Sequence, residues 1–303
     1  MHFANLKIGH ATHTAQGTGL SVFLLEKPAP CGHWLCGSAP AMRDVSLLDP
    51  ACTVNQIDAL LFTGGSAFGL DAAQGVMRWL AENQRGFPTK YGNVPIVPTA
   101  SIYDFSVKGM HIPTADDAYQ ACANALQNNQ QSGQIGAGTG ASVGKLVSTA
   151  SSMSGGLGHA KIQCPSGLEV WAFTVVNAVG DILDQTGTII AGAQQDNGEF
   201  INLAHHLMQG GTTHTPLTQQ NTTLAAVFTN AKLDKNQLTR IAKMASAGFA
   251  RAITPAFTSY DGDAVFTVSL GDKMFDEITI GIICATAIQQ AIIQAVKTTT
   301  IIK

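Results

Sequence analysis

A threonine at the boundary between a polar loop and an apolar run is well placed for chemistry. Residues 210–221 are polar and turn-prone, whereas residues 223–228 form a short apolar run typical of a buried strand. If the bond between Asn221 and Thr222 broke, Thr222 would open a new chain. Its hydroxyl and its freed α-amine would then share one residue, and the amine could serve as the base for the hydroxyl. The alternative is a loop followed by a strand, with threonine present only for its β propensity.

The elements that must position this threonine alternate between apolar runs and amphipathic segments along the whole chain. This mixture predicts an α/β or α+β fold. No internal repeat or linker-like segment divides the chain, so a single domain over residues 1–303 is predicted. The predicted strands cover residues 20–25, 57–62, 94–97, 161–163, 169–176, 223–228 and 264–270, and the predicted helices residues 70–83, 115–127, 199–208, 234–252 and a C-terminal segment.

The composition restricts the function classes. Of 303 residues, 12% are charged and 45% hydrophobic, which indicates a compact globular protein. A net charge of −3, without a basic run, does not favour a nucleic acid partner. The low content of charged residues suggests that part of the protein surface is buried between the subunits of a homo-oligomer. The first 14 residues contain no apolar run of signal-peptide length, which predicts a cytoplasmic location, and the six cysteines have no disulfide-framework spacing.

Three segments invite interpretations that their details do not support. Residues 278–296 are long and apolar enough to resemble a membrane span, but three glutamines interrupt them, so a helix buried between layers is predicted and no membrane partner. The glycine-rich loop at residues 136–145 lacks the glycine spacing of a Walker loop or a dinucleotide fingerprint. Residues 31–36 (CGHWLC) resemble half of a metal site, but no second pair of ligands lies nearby in the sequence. No cofactor and no metal is therefore predicted.

Six segments, taken together and in this order, resemble the DmpA-type aminopeptidase family, which includes β-peptidyl aminopeptidases and nylon-oligomer hydrolases. The resemblance implies a precursor that cuts itself into residues 1–221 and 222–303, packed as an αββα four-layer sandwich and assembled as a homotetramer. The segments are TGGSAFGLDAA (63–73), VPIVPTA (94–100), GAGTGASVGK (136–145), VVNAVGDI (175–182), NTTLAAVFTNA (221–231) and YDGDAVFTVSLG (260–271).

The resemblance also assigns roles to individual residues. Thr222 matches the nucleophile that opens the short chain, where many aminopeptidases have serine and the nylon-oligomer hydrolases threonine. Asp261 and Asp263 match an acidic pair near the nucleophile in those hydrolases. Asn177 matches the side chain that helps to hold the oxyanion, and Lys145 matches a lysine of the same subgroup. The acidic residue that binds a substrate α-amine in strict aminopeptidases has no match, so exo- and endo-cleavage both stay open.

Elementary chemistry is consistent with these roles. A free α-amine has a reference pKa of about 7.7–8.0, close to working pH, which suits a base for the Thr222 hydroxyl. An ammonium on Lys145 nearby would lower the pKa of that amine and keep it neutral. Carboxylates of Asp261 and Asp263 could accept hydrogen bonds that orient the nucleophile. The Asn177 amide could donate to an oxyanion, a contact worth about 3–4 kcal/mol in other hydrolases.

Each of these residues also has a structural interpretation. Asp261-Gly262 is a common hairpin turn, Asn177 can form a turn, and Lys145 can be a solvated loop lysine. The favoured hypothesis is a self-processed amide hydrolase that acts on peptides or small amino amides. The alternative is a catalytically silent relative that binds or assembles. The natural substrate, and the choice between α-peptides, β-peptides and nylon-type amides, stay open.

Overall fold

The computed structural model describes residues 5–105, 108–147, 152–213 and 221–299. The strands are β1 (Leu6–His13), β2 (Thr18–Leu35), β3 (Met42–Arg43), β4 (Gln56–Thr63), β5 (Phe87–Thr89), β6 (Gly92–Val94), β7 (Thr99–Ser101), β8 (Leu126–Gln127), β9 (Ser142–Val143), β10 (Met153–Ser154), β11 (Gly156–Gln163), β12 (Glu169–Asn177), β13 (Asp181–Leu183), β14 (Ile189–Ala191), β15 (Thr222–Ala231), β16 (Ile253–Thr254) and β17 (Ala264–Lys273). The α-helices are α1 (Ser66–Gly69), α2 (Ala73–Glu82), α3 (Ala115–Ala123), α4 (Leu203–Met208), α5 (Lys235–Ala245), α6 (Ala247–Ala252) and α7 (Glu277–Thr299), with 3-10 turns at Ser46–Leu48, Leu70–Ala72 and Gly136–Gly138.

Strand β2 belongs to two sheets. Its first part pairs antiparallel with β1 and β4, and the first sheet has the order β8-β1-β2-β4-β7-β3. The β2–β4 register shifts between Leu24 and Ala29, and the later part of β2 pairs antiparallel with β17. The second sheet has the order β11-β12-β15-β17-β2. Two neighbouring pairs are parallel, β4 with β7 and β15 with β17. One long strand therefore joins the two sheets.

The two sheets face each other across an apolar core. Phe23 of the first sheet lies 5.2 Å from Phe173 and 5.5 Å from Phe228 of the second, measured between ring centroids. Along each central strand, alternate side chains point to this core and to a helical layer. In β15, for example, Phe228 enters the core between the sheets, whereas Val227 packs under α5, α6 and α7. Both faces are buried, which explains why these strands appear in the sequence as continuous apolar runs.

Helices cover both outer faces. The apolar sides of α2 and α3 pack on the first sheet, and those of α5, α6 and α7 pack on the second. The order of layers is helix, sheet, sheet, helix, which confirms the predicted αββα fold class. The C-terminal helix α7 has the length and composition of a membrane span, and half of its apolar window is buried. It packs as an outer layer on β11 and β12, not between layers as predicted.

Two predicted elements differ from the structure for local reasons. The helix predicted at residues 234–252 is two helices, and Ser246 at the break donates its hydroxyl to the carbonyl of Lys243 at 2.7 Å. Of the strand predicted at residues 94–97, only Val94 lies in a strand, as the last residue of β6, and residues 95–97 lie between β6 and β7. Pro95 and Pro98 lack the N–H that a sheet ladder needs, and they bound the break.

Candidate active site

Three strand ends meet at one edge of the second sheet and bring the predicted residues together. Because β15 and β17 are parallel neighbours, the segments in which they begin lie side by side, with Asn221 bridged to Asp261 and Leu224 paired with Ala264. Thr222 is the first residue of β15, and the segment that contains Asp261 and Asp263 leads into β17. On the other side of β15, the last residue of β12, Asn177, pairs directly with Thr222. Residues 214–220 of the predicted loop lie outside the described residues.

The Asn221 carbonyl, at the predicted cleavage position, accepts hydrogen bonds from two sides. The Thr222 hydroxyl donates to this oxygen at 2.6 Å, and the backbone N–H of Gly262 donates to it at 2.7 Å. Asn221 is 0% and Thr222 3% exposed. An N–H fixed on a carbonyl oxygen stabilises the negative charge that develops there when a nucleophile adds to the carbon. The Thr222 hydroxyl and such a donor therefore converge on the carbonyl oxygen of the same peptide bond.

Gly262 has to be a glycine at this position. A Cβ added to it would lie 2.6 Å from the carbonyl oxygen of Ala39 and 2.8 Å from the Thr222 hydroxyl oxygen. Both contacts are shorter than real Cβ atoms make, so any side chain would displace the Thr222 hydroxyl or the Ala39 backbone. Sequence reasoning missed this residue because Asp-Gly is such a common turn dipeptide.

The Asp261 carboxylate is bonded to its own loop. One oxygen accepts the N–H of Thr258 at 2.9 Å and its hydroxyl at 2.7 Å. Burial raises the pKa of Asp261, and the Thr258 hydrogen bonds and the Lys145 charge lower it. In the continuous chain the Thr222 hydroxyl donates to Asn221 and not to this carboxylate. Thr258 was not identified from the sequence. The T-x-x-D spacing, which is typical of a local side-chain to backbone motif, is the signal that could have revealed it.

Asp263 is the more deeply placed of the two acids. It is 1% exposed, and one carboxylate oxygen accepts the backbone N–H of Thr223, the residue after Thr222. Burial, and then the neighbouring charge of Asp261, raise the pKa of Asp263 well above its ordinary value. Burial and the charge of Asp261 therefore both disfavour the ionised form of Asp263.

Lys145 and Asn177 form the opposite wall of the site. The Lys145 ammonium donates to the Asn177 side-chain oxygen at 2.7 Å and to its backbone carbonyl at 3.2 Å. The Asn177 amide nitrogen donates to the Tyr103 carbonyl at 3.0 Å. That amide has a second N–H, so its predicted role as an oxyanion donor is compatible with these contacts. Tyr103 contributes only a backbone atom, and we find no sequence signal for it.

The pKa of Lys145 lies close to neutral pH. Burial lowers the pKa of Lys145 to about 7, against the opposing effects of Asp261, Asp104 and Asp263. Asp104, whose carboxylate accepts hydrogen bonds from Thr18 and Gly65, has its pKa raised by burial to about 6. An ordinary lysine pKa lies more than three units higher than that of Lys145. Small changes near Lys145 therefore change its protonation at neutral pH.

This balance predicts a pH-dependent stability. The pKa of Lys145 is lowered from 10.5 to about 7 on folding, so between these values the unfolded chain binds more protons and stability rises with pH. Lys145→Met removes that dependence. The Tm of wild type should therefore rise steadily relative to that of Lys145→Met from pH 7.5 to pH 10, as measured by differential scanning calorimetry. Lys27→Met, at an exposed lysine, is the control and should keep the wild-type slope. Parallel curves for Lys145→Met and wild type would contradict the prediction.

Comparisons with known proteins found a family match and curated relatives. The sequence profile of Peptidase family S58 matches residues 3–302. An uncharacterized aminopeptidase of Mycobacterium leprae (strain TN) is 39% identical over 281 residues, which cover 89% of this chain and 75% of that protein. A 6-aminohexanoate-oligomer endohydrolase of Agromyces sp. (strain KY5R) is 28% identical over 215 residues, 70% of this chain and 60% of that one.

Two solved structures have the same fold at low sequence identity. The L-aminopeptidase D-Ala-esterase/amidase of Ochrobactrum anthropi, described as a variant of the Ntn hydrolase fold, superposes with a TM-score of 0.73 at 17% identity and covers 97% of this chain and 84% of its own. A Burkholderia sp. β-aminopeptidase superposes with a TM-score of 0.70 at 18% identity, covering 96% of this chain and 84% of its own. At these identities the likeness establishes the fold.

Proposed function

Because this chain belongs to peptidase family S58, we propose that it is a self-processing amide hydrolase whose nucleophile is the Thr222 hydroxyl. One observation supports the assignment above the others. The Thr222 hydroxyl lies 2.6 Å from the Asn221 carbonyl oxygen, and the Gly262 N–H donates to the same oxygen at 2.7 Å. The proposed nucleophile and a charge-stabilising donor thus converge on one amide bond within the chain.

Maturation is proposed as the first reaction. The Thr222 hydroxyl oxygen adds to the Asn221 carbonyl carbon, and the charge that develops on the oxygen is stabilised by the Gly262 N–H. The carbon–nitrogen bond then breaks, and the nitrogen takes the proton that the hydroxyl lost. This leaves an ester between Asn221 and Thr222 and a free α-amine. Water hydrolyses the ester, which gives a C-terminal carboxylate on residue 221 and an N-terminal threonine.

Hydrolysis of a substrate repeats the same chemistry with the new amine as base. The freed amine takes the proton of the Thr222 hydroxyl while the oxygen attacks a substrate carbonyl carbon. The carbon–nitrogen bond of the substrate then breaks, its amine leaves with that proton, and an acyl-enzyme ester remains. Water hydrolyses this ester, which releases the acid and restores the Thr222 hydroxyl. The Gly262 N–H and the Asn177 amide are the proposed donors to the oxyanion. A protonated Lys145 would lower the pKa of the amine and keep more of it neutral. The proposed substrates are peptides or small amino amides.

The cleavage position is directly testable. We expect the purified protein to run as two fragments on a denaturing gel, residues 1–221 and 222–303. Edman degradation of the small fragment should begin Thr-Thr-Leu-Ala, since the new terminus is Thr222. Intact mass spectrometry of both fragments supplies an independent check. A small fragment that begins elsewhere, or an active protein that stays in one piece, refutes the proposed nucleophile.

One panel of substrates tests both whether the protein is an active enzyme and which amide it prefers. The processed protein is assayed with α-peptides, β-peptides, amino-acid amides and 6-aminohexanoate oligomers. Hydrolysis of any of them supports the enzyme, and its ranking identifies the preferred amide. A processed chain without activity on the whole panel would favour the alternative, a binding or assembly protein of this family.

We also propose that the protein forms a homotetramer and is located in the cytoplasm. Large apolar side chains are exposed around the start of α7, with Met274 at 74%, Ile278 at 63% and Ile282 at 51% exposure. Apolar surface of this kind favours association. Light scattering should give about four times the mass of the 31.6 kDa chain. A mass near that of one chain would contradict the assembly.

A further inference from the structure

A cavity lies away from the candidate active site around Thr222 and shares no residue with that site. Its volume is about 400 Å³, within the range of small-molecule sites. The residues around it come from β2, the start of β4, the β5–β6 hairpin and the segments between them. Much of its wall is apolar and includes Pro28, Pro30, Val54, Phe87, Pro88 and Ile96.

A carboxylate lies among these apolar walls. Asp58 lines the cavity and is 2% exposed. One of its oxygens accepts the backbone N–H of Ile96 at 2.9 Å. The other oxygen, Oδ1, is buried and has no hydrogen-bond partner among the described residues. A buried acceptor of this kind destabilises a protein unless something donates to it.

The nearby positive charge does not supply that donor. Arg85 is close enough to Asp58 for the two charges to affect each other's pKa, and burial raises the pKa of Asp58. However, the Nε and Nη2 atoms of Arg85 also lack hydrogen-bond partners within the described part of the chain. Asp58 Oδ1 therefore stays an unused acceptor beside the cavity.

The wall of the cavity is held in place by the protein itself. The buried Lys235 ammonium donates to the carbonyls of Leu47 at 3.1 Å, Cys52 at 2.7 Å and Val54 at 2.9 Å. These three contacts anchor the segment that carries Val54 to helix α5. The cavity is thus built before any ligand binds, which reduces the entropy lost on binding.

We propose that this cavity binds a small organic ammonium ion. The ammonium group donates to Asp58 Oδ1, and its alkyl chain lies against Pro30, Phe87 and Ile96. A cation with an apolar body satisfies both features of the site, the unused carboxylate oxygen and the apolar walls. This binding site is separate from the proposed catalytic residues and does not depend on their roles.

Isothermal titration calorimetry with hexylammonium chloride tests the proposal, and hexan-1-ol serves as the neutral probe of similar shape. Wild type should bind hexylammonium at least about tenfold more tightly than hexan-1-ol, because only the ammonium pairs with the carboxylate. Asp58→Asn should remove most of this preference while the Ile96 contact is kept. Equal affinity for the two probes, or unchanged hexylammonium affinity in a folded Asp58→Asn protein, overturns the proposal.

Two further variants locate the binding. Phe87 is 49% exposed, so Phe87→Ala should fold normally and weaken hexylammonium binding several-fold. It also provides the test if Asp58→Asn does not fold, and unchanged affinity in Phe87→Ala would count against the site. Thr222→Val should bind hexylammonium as wild type does. Loss of binding in that variant would place the ligand at the catalytic site and overturn the proposal.

Discussion

Thr222→Val should leave the chain as a single uncleaved band and lower amide hydrolysis by about 10⁴-fold or more. Valine keeps the β-branched shape in strand β15 and removes only the hydroxyl, so the proposed nucleophile of both proposed reactions is lost. The fold should persist, because the Asn221 carbonyl keeps its hydrogen bond from Gly262. Gel analysis after long incubation and a hydrolysis assay on the same sample measure the two losses.

The adjacent residue offers a matched control. Thr223 is also buried in β15, and its hydroxyl has no hydrogen-bond partner among the residues that the structure describes. Thr223→Val should therefore process normally, hydrolyse within about twofold of wild type and be equally or more stable. Thr222→Ser should keep both reactions, since it retains the hydroxyl. Normal cleavage in Thr222→Val would show that another residue attacks Asn221.

Asp261→Asn should lower hydrolysis by roughly 10²-fold while the protein stays folded. An asparagine oxygen can still accept the two Thr258 hydrogen bonds, so the loop keeps its anchor. The negative charge is lost, however, and with it the largest effect that raises the pKa of Lys145. Lys145 should then be mostly neutral at pH 7 and no longer lower the pKa of the Thr222 amine. Fragment formation and hydrolysis by the processed fraction are measured separately.

Thr258→Val separates the charge of Asp261 from its role in the loop. This variant removes the hydroxyl donor at 2.7 Å and leaves the carboxylate charge in place. We expect a stability loss of about 1 kcal/mol and a much smaller loss of hydrolysis than in Asp261→Asn. Near wild-type hydrolysis by processed Asp261→Asn, with an unchanged melting temperature, would assign Asp261 to the turn alone.

The buried side chain of Asn221 is relevant to the proposed maturation. Its side-chain nitrogen and oxygen are both buried without partners among the described residues, in a residue that is 0% exposed. Unsatisfied buried amide groups destabilise the uncleaved chain relative to a state in which they reach water. The proposed cleavage after Asn221 would free this residue as a chain end and let its side chain reach water, which would favour the cleaved state.

Much of the fold could be predicted from sequence because local patterns carry it. Continuous apolar runs at residues 57–62 and 223–228 correctly indicated strands buried on both faces. The amphipathic pattern over residues 234–252 indicated helix, and only the break at Ser246 was missed. Prolines around residues 95–98 decided against a strand there, where the apolar pattern alone predicted one. Periodicity reports burial, and backbone hydrogen bonding then sets the boundaries.

By itself, the sequence determined the residue types of the candidate site, because Thr222, Asn177, Lys145, Asp261 and Asp263 stand in motifs that keep a family order. Only the tertiary structure decided how they meet. The parallel pairing of β15 with β17 places the Gly262 N–H on the Asn221 carbonyl, and the pairing of β12 with β15 sets Asn177 beside Thr222. Strand pairing is a long-range choice between backbones, and backbone donors such as Gly262 have no side chain for a sequence pattern to reveal.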